Sequence, residues 1–503
     1  MGSVVDALSD ITATQRIESA RRPVAWWPVG LTAATATLLL LITSGGYGYH
    51  RDELYFRLLS QHPQWGYVDQ PPFTPMLVRF GIASFGDSVW AIRVAPAVLL
   101  GLTAVVAALI AREAGGGRAA QSIAAAGVFS TVALSAAHVT SATATDLLVW
   151  LLVLLLVVRA LLWERPRAWL GAGVVAGLGL WNKHLVLLLL LCLAVALLLA
   201  GPREVFRSRH LWAGAGLAVL IGLPNLIYQV VNDFPQVELA VAVARQEGAG
   251  SRLALLPAQF TLLILPPVWI AGLVVLIRDP RLRRVRVIAV AYPLMLVAVL
   301  VTAGRPYHPL GLLFGILAIG AVPTERWLTG RRGRQALVTA GVVLSALAGT
   351  VMSLPVVPED ELAGSLPAER NETVADQVGW RQYVWQIGLV YAGLSPADQR
   401  RAVLFTGNYG EAGALDRFGP SIGLPAVYSG HNELHRFGPP PESKRVVVAV
   451  LREPPAGMLG PCTAEGTLHN TPAVVNDEVG ARVYVCRPAA SWAVIWPRVR
   501  HYS

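Results

Sequence analysis

Asp52 and Glu53 are adjacent carboxylates a few residues beyond the first membrane-length apolar run. Ionisable groups beside lipid are costly, and they persist there mainly when they serve an ion, a proton or a substrate. A carboxylate within hydrogen-bond reach of a hydroxyl is a general base. Carboxylates beside Arg and Lys suit chemistry on an anionic group, because the guanidinium fork pairs with phosphate. Such residues recur at the ends of later apolar runs: Asp146 after His138, Thr140 and Thr143; Lys183 within Asn182-Lys183-His184; Arg245 and Arg252; and Arg305-Pro306-Tyr307-His308. Asp69 precedes Gln70-Pro71-Pro72, whose prolines fix a rigid path.

The elements that must position these residues are membrane helices. The chain of 503 residues is 54% hydrophobic and 14% charged, against about 25% charged in soluble domains, and its mean hydropathy is +0.53. Apolar runs near membrane length recur at 26–42, 89–111, 119–137, 146–162, 169–181, 185–200, 211–230, 255–277, 287–303, 309–322 and 336–354, so about eleven transmembrane helices are expected. The segment before Trp26 lacks a small-residue cleavage site, and 26–42 reads as a retained helix.

Charge sets the orientation. With the N-terminus cytoplasmic, the inside segments hold 19 Arg, among them Arg16, Arg21, Arg112, Arg278 and Arg334, and the outside segments before residue 355 hold seven Arg and Lys. Lys and Arg retained inside are the expected pattern, so the net charge of +10 is a topology and lipid-headgroup signal and does not call for nucleic acid. Arg51-Asp52-Glu53 and everything after Leu354 then face outside. Two domains are expected: 1–354, all-α and polytopic, and 355–503, a C-terminal extracytoplasmic α/β domain. The second has β-rich runs at 403–405 and 446–451 and helical spacing over 377–391. Cys192 lies mid-membrane; Cys462 and Cys486 either form a disulfide outside or stay as two buried thiols. No zinc-ligand spacing and no P-loop occur.

Taken together, Arg51-Asp52-Glu53-Leu54-Tyr55, Trp65-Gly66-Tyr67-Val68-Asp69-Gln70-Pro71-Pro72, Phe85-Gly86-Asp87-Ser88 and Arg93 resemble the bacterial family-39 glycosyltransferases. These belong to the protein O-mannosyltransferase and aminoarabinose transferase superfamily, with the GT-C membrane fold. Gly179-Leu180-Trp181-Asn182-Lys183-His184 and Gly304-Arg305-Pro306-Tyr307 fall where the family carries related patterns, although Arg305, His308 and His184 replace residues that are often Lys, Tyr and an aromatic. Thr406 to Leu415 and Tyr428-Ser429-Gly430-His431-Asn432 resemble the tail domain of one bacterial branch.

The resemblance implies sugar transfer from a polyprenyl-phosphate donor to an extracytoplasmic acceptor, which is a lipid, a cell-wall polymer or a protein, at the plasma membrane. It implies that an acidic residue of the first outer loop is catalytic; by position this is Asp52, with Glu53 its neighbour. The expected mechanism is an inverting single displacement with Asp52 as base. Lys183, Arg305, Tyr307 and His308 are the expected donor-phosphate contacts, and Asp69, Asp146 and Arg245 further substrate contacts. A divalent metal at Asp52 is compatible with the chemistry but is not indicated by spacing. The rival class is a polytopic transporter or lipid flippase with an outer binding domain; it calls for polar groups at mid-membrane depth, whereas here they gather at the outer ends of the runs.

Overall fold

The computed structural model describes residues 22–503 apart from Ile264 and 454–456; Arg16 and Arg21, counted above among the inside charges, lie outside the described residues. Each of the eleven apolar runs is helical, but they do not make eleven straight crossings. Among the described residues six helices are long and apolar enough to span a membrane: Trp26–Thr43, Val89–Glu113, Ala142–Leu162, Arg209–Val231, Leu310–Leu328 and Arg332–Ser353. The count reaches eight if two bent pairs are each one span. The first pair, Arg118–Phe129 and Thr131–His138, bends by 57° at Ser130, whose backbone is extended. The second breaks by 94° before Pro266, where Leu265 sits at φ +52° and the proline ring prevents the helix from running through. Ala168–Leu180, Leu185–Ala200 and Val287–Thr302 are shorter apolar helices. At 1.5 Å per residue they reach roughly 20–24 Å, short of a ~30 Å hydrocarbon core.

Burial sorts the bundle. The most apolar windows of Ala142–Leu162 and Leu310–Leu328 are 78% buried and form its centre, while those of Trp26–Thr43 and Arg332–Ser353 are only 17% and 11% buried and form its rim. A helix that is apolar all round faces either a protein core or lipid.

The connection between the first two spans is itself structured. It carries Arg51–Ser60 and a further short apolar helix, Phe73–Phe85, which the run count did not include.

Beyond Ser353 the chain builds a five-stranded mixed sheet of order β2-β1-β3-β5-β4. Its strands are β1 (Ala402–Thr406), β2 (Val427–Ser429), β3 (Val446–Leu451), β4 (Cys462–Thr467) and β5 (Arg482–Cys486). β1 pairs in parallel with β2 and β3, and β5 is antiparallel to β3 and β4. β1 and β3 are buried on both faces, which is why they read in the sequence as unbroken apolar runs and not as alternating ones. One face packs on Trp492, Ile495, Trp496 and Val499 of the last helix. The other shares one apolar cluster with the Trp380–Ala392 and Tyr409–Phe418 helices and with Leu54, Tyr55, Leu58, Leu59 and Tyr67 of the first loop. The first loop and the C-terminal sheet, called the outer domain below after its expected side, thus have a common core, which crosses the sequence division at 354/355. Cys462 and Cys486 are joined by a disulfide between β4 and β5, and Cys192 is free and buried.

Candidate active site

The Arg51–Ser60 helix starts at His50, and its first turn settles the fates of the two carboxylates. His50 Nδ1 accepts the Asp52 amide at 3.2 Å, and the His50 amide donates to Glu53 Oε2 at 2.8 Å. This is a reciprocal N-terminal cap. Burial holds the His50 imidazole below its ordinary pKa, the neutral form that accepting at Nδ1 requires. Glu53 is wholly enclosed. Its side chain and that of Arg93 are 0% and 1% exposed, and Arg93 binds it through both ends of the guanidinium, Nε to Oε1 at 2.9 Å and Nη2 to Oε2 at 2.6 Å. The Thr140 amide adds a fourth bond, to Oε1, at 2.8 Å. Arg93 also donates to the carbonyls of Ser44 and Gly48 and to Gln377 Oε1. Glu53 and Arg93 therefore tie the first loop to the second apolar run, to the turn between the third and fourth, and to the outer domain.

Asp52, one position earlier, keeps a side chain 35% exposed. It lines a cavity of about 1450 Å³ between the membrane helices and the outer domain. Arg305 and Tyr307 form part of the membrane-side wall, and Asp376, Arg452 and Asp477 form part of the outer wall. Asp52 Oδ1 accepts the Tyr409 hydroxyl at 2.9 Å. Arg51 donates to the same hydroxyl from Nε and Nη2 at 3.3 and 3.2 Å, pairs with Asp477, and lies 3.7 Å from Asp376. Burial alone would lower the Arg51 pKa, but Tyr409, Asp52 and Asp376 outweigh it and raise it. Burial lifts Asp376 to about 7 although Arg51 pulls the other way.

The other residues singled out in the sequence fall in three places. Asp146, Lys183, Tyr307 and His308 line one small pocket, with about 10 Å³ of free space, immediately behind the cavity. That is room for a single water at most. Lys183 Nζ lies 5.6 Å from the Tyr307 ring centre, and Tyr307 faces both spaces. Asp146 Oδ1 is buried and has no hydrogen-bond partner among the described residues. His308, enclosed and flanked by Lys183 and Arg305, is held well below its usual pKa, first by burial. Asp69 is elsewhere, at the seam with the outer domain. Its Oδ2 accepts from Asn432 Nδ2 at 3.4 Å, and burial raises it to about 7 although the Tyr55 hydroxyl pulls the other way. Arg245 is exposed on the Pro235–Thr261 helix; its neighbour Gln246 lines the cavity. Among the described residues no three His, Cys, Asp or Glu side chains are grouped to hold a metal ion.

Residues 69–228 match the family model described as dolichyl-phosphate-mannose-protein mannosyltransferase. The crystal structure of ArnT from Cupriavidus metallidurans in the apo state superposes with a TM-score of 0.54 at 16% identity, covering 90% of this chain and 97% of that one. The same protein bound to undecaprenyl phosphate gives 0.54 at 17%, covering 93% and 99%. The chain has the GT-C glycosyltransferase fold. No curated protein sequence matches it significantly.

In this GT-C chain the residues that the sequence did not single out come from the outer domain. Tyr409 starts the Tyr409–Phe418 helix, capped by Asn408 and Glu411 in a reciprocal box. Its amide donates to His431 Nδ1 at 3.1 Å, an imidazole that burial pushes down to about 3 and so keeps neutral. Glu411 and His431 make contacts internal to the outer domain, and Asn432 joins that domain to Asp69. The signal that could have found Tyr409 was present in Thr-Gly-Asn-Tyr-Gly-Glu at 406–411, an N-cap sequence with one aromatic between glycines.

Proposed function

We propose that this chain is a membrane glycosyltransferase that moves a sugar from a polyprenyl-phosphate-linked donor to an acceptor hydroxyl on the outer side of the membrane. The observation that carries the reading is the half-exposed Asp52 carboxylate in one cavity with Arg305 and Tyr307, at the junction of an apolar bundle and an outer domain. A relative in fold, ArnT, is seen bound to undecaprenyl phosphate. A lipid-linked donor explains why the site sits where a phosphate can stay at the interface while its hydrocarbon stays in lipid.

In this reading the acceptor oxygen attacks the sugar's anomeric carbon and the new glycosidic bond forms there. The bond from that carbon to the phosphate oxygen breaks, and its electron pair leaves with the polyprenyl phosphate. The acceptor's proton passes to Asp52, and the configuration inverts. The leaving group is already a good one, so no strong general acid is needed. Arg305 faces the departing charge, and Lys183, behind Tyr307, adds to the field. Glu53 supports Asp52 by fixing the helix turn they share. The N-terminus is cytoplasmic and the outer domain extracytoplasmic, by the distribution of Arg and Lys. A flippase would need polar groups near mid-depth; those described here collect at one end.

The deciding experiment is Asp52→Asn in native membranes supplied with labelled polyprenyl-phosphate hexoses and pentoses. Transfer should fall by about 10²–10⁴-fold, with movement of the carrier lipid across the bilayer unchanged. Full transfer by the variant ends the base assignment, and lost lipid movement favours the transporter.

A further inference from the structure

We infer that Tyr409, contributed by the outer domain, is a positioning residue that fixes the Asp52 carboxylate for catalysis, so that the base is competent only while the outer domain is docked. The inference rests on Asp52 being the base. Three independent observations point to it.

The first is the bond itself. Tyr409 donates to Asp52 Oδ1 at 2.9 Å. Among the described residues Oδ2 has no comparable donor; His50 Nδ1, 3.9 Å away, is neutral and itself accepts the Asp52 amide. One oxygen is thus pinned while the other is left for an acceptor hydroxyl. Without the pin the carboxylate rotates freely about its last torsion, which is broad and roughly two-fold.

The second is that the hydroxyl is itself held from behind. Arg51 donates to it twice, and Arg51 pairs in turn with Asp477 and Asp376, both from the outer domain. An oxygen that accepts from a guanidinium has its proton directed elsewhere, and Asp52 is where it goes. The Tyr409 ring is wedged between Tyr55 at 4.7 Å and His431 at 4.9 Å, and His431 stacks on His501 at 4.7 Å. Burial, the largest cause, and then the Asp52 charge raise the Tyr409 pKa, so the hydroxyl keeps its proton.

The third is the packing that brings Tyr409 there. The Tyr409–Phe418 helix crosses the Arg51–Ser60 helix almost backbone to backbone. A Cβ on Gly413 would lie 2.6 Å from the Leu54 carbonyl, and one on Gly410 would lie 3.0 Å from Arg51 Cβ. These glycines sit inside a helix, where glycine costs stability, so what they provide is close approach, not a turn.

The test uses the full chain in lipid nanodiscs, with the labelled polyprenyl-phosphate sugar that wild-type membranes transfer. Tyr409→Phe keeps the ring in its stack and removes only the hydroxyl. It should lower kcat by about 10- to 100-fold, the scale of a misplaced reacting group, with donor KM unchanged. Tyr383→Phe is the control. Among the described residues its buried hydroxyl bonds to Asn470 and Asn476, both in the outer domain, so it should leave kcat alone. Wild-type kcat in Tyr409→Phe, a raised KM in place of a lowered kcat, or an equal fall in both variants each overturns the inference. An active Asp52→Asn overturns it together with the base assignment, whereas an inactive Asp52→Asn beside a fully active Tyr409→Phe overturns this inference alone.

Discussion

Replacing Glu53 by Gln separates a structural carboxylate from a chemical one. The Glu53 oxygens accept four bonds: the His50 amide and Arg93 Nη2 at Oε2, and the Thr140 amide and Arg93 Nε at Oε1. Gln has nearly the same shape but only one accepting end. Whichever way its amide turns, an NH₂ group meets two donors, one of them from Arg93, and the arginine charge is left buried without a compensating carboxylate. Breaking a buried pair by removing one partner costs about 3–5 kcal/mol, which is consistent with losing two bonds, one of them charge-assisted, and burying an unpaired charge. The cost should appear as local opening. Hydrogen exchange in the full chain in nanodiscs should speed up by about a hundred- to several-thousandfold in peptides covering the start of the 51–60 helix and Thr140, with strands β1 and β3 little changed. Transfer should fall with it, because Asp52 shares that helical turn. Adding Arg93→Gln should recover part of the loss by removing the uncompensated charge. If Glu53→Gln abolishes transfer while exchange stays at the wild-type rate, the structural assignment is wrong and Glu53 acts on substrate.

Further outcomes follow from the same geometry. Burial raises Asp69 and Asp376 to about 7 each from 3.8. Their protonated forms are favoured on folding, so their contribution to stability is complete below about pH 4 and is lost as pH rises through 7, by at most about 4 kcal/mol per group; the wild-type Tm should be higher at pH 5 than at pH 8, and Asp69→Asn with Asp376→Asn should shrink that gap. Arg305→Gln should raise donor KM by about 10- to 100-fold, the worth of a charge-assisted contact, while Lys183→Met, whose ammonium stands behind Tyr307, should do less; equal effects would put Lys183 in direct contact with donor. Replacing Cys462 and Cys486 by Ser opens a loop closed across 24 residues, which should cost about 3 kcal/mol, read as a lower unfolding temperature of the outer domain with unchanged donor KM.

Much of the architecture was legible because it follows from composition and short-range pattern. Apolar runs gave a helical membrane protein, and unbroken β-branched stretches gave β1 and β3. The grouping of Asp52, Arg305 and Tyr307 followed from charges collecting at one end of the runs. What was hidden depends on contacts between distant segments or on single backbone angles. Pro266-Pro267 marks a breaker inside 255–277, but prolines alone do not fix the φ of +52° at Leu265 or the 94° break, and the apolar pattern read as one span. Arg245 and Asp69 lie on the same side as the cavity, but a residue's level along the membrane normal does not say which way it faces. Tyr409 and Asp477 are 357 and 426 positions or so from the residues they hold, beyond any periodicity. Arg93, inside an apolar helix, was visible as a family motif residue but not as the partner of Glu53.

The adjacency of Asp52 and Glu53 dictates their division of labour. Consecutive helical residues project about 100° apart, and Glu53 turns away from the cavity that Arg51 and Asp52 line. Glu53 is the third residue of its helix, where a glutamate side chain folds back to the N-cap amide, and that turn aims it at Arg93 in the interior. Asp52, shorter and one position earlier, is left facing out. Each charge then needs its own source of stabilisation. The membrane part supplies one for Glu53 through Arg93. The outer domain supplies the one for Asp52, through Tyr409 and the Arg51 that Asp376 and Asp477 hold. Removing the outer domain would take away Tyr409, Asp376 and Asp477 together, so in the proposed mechanism that domain is part of the site.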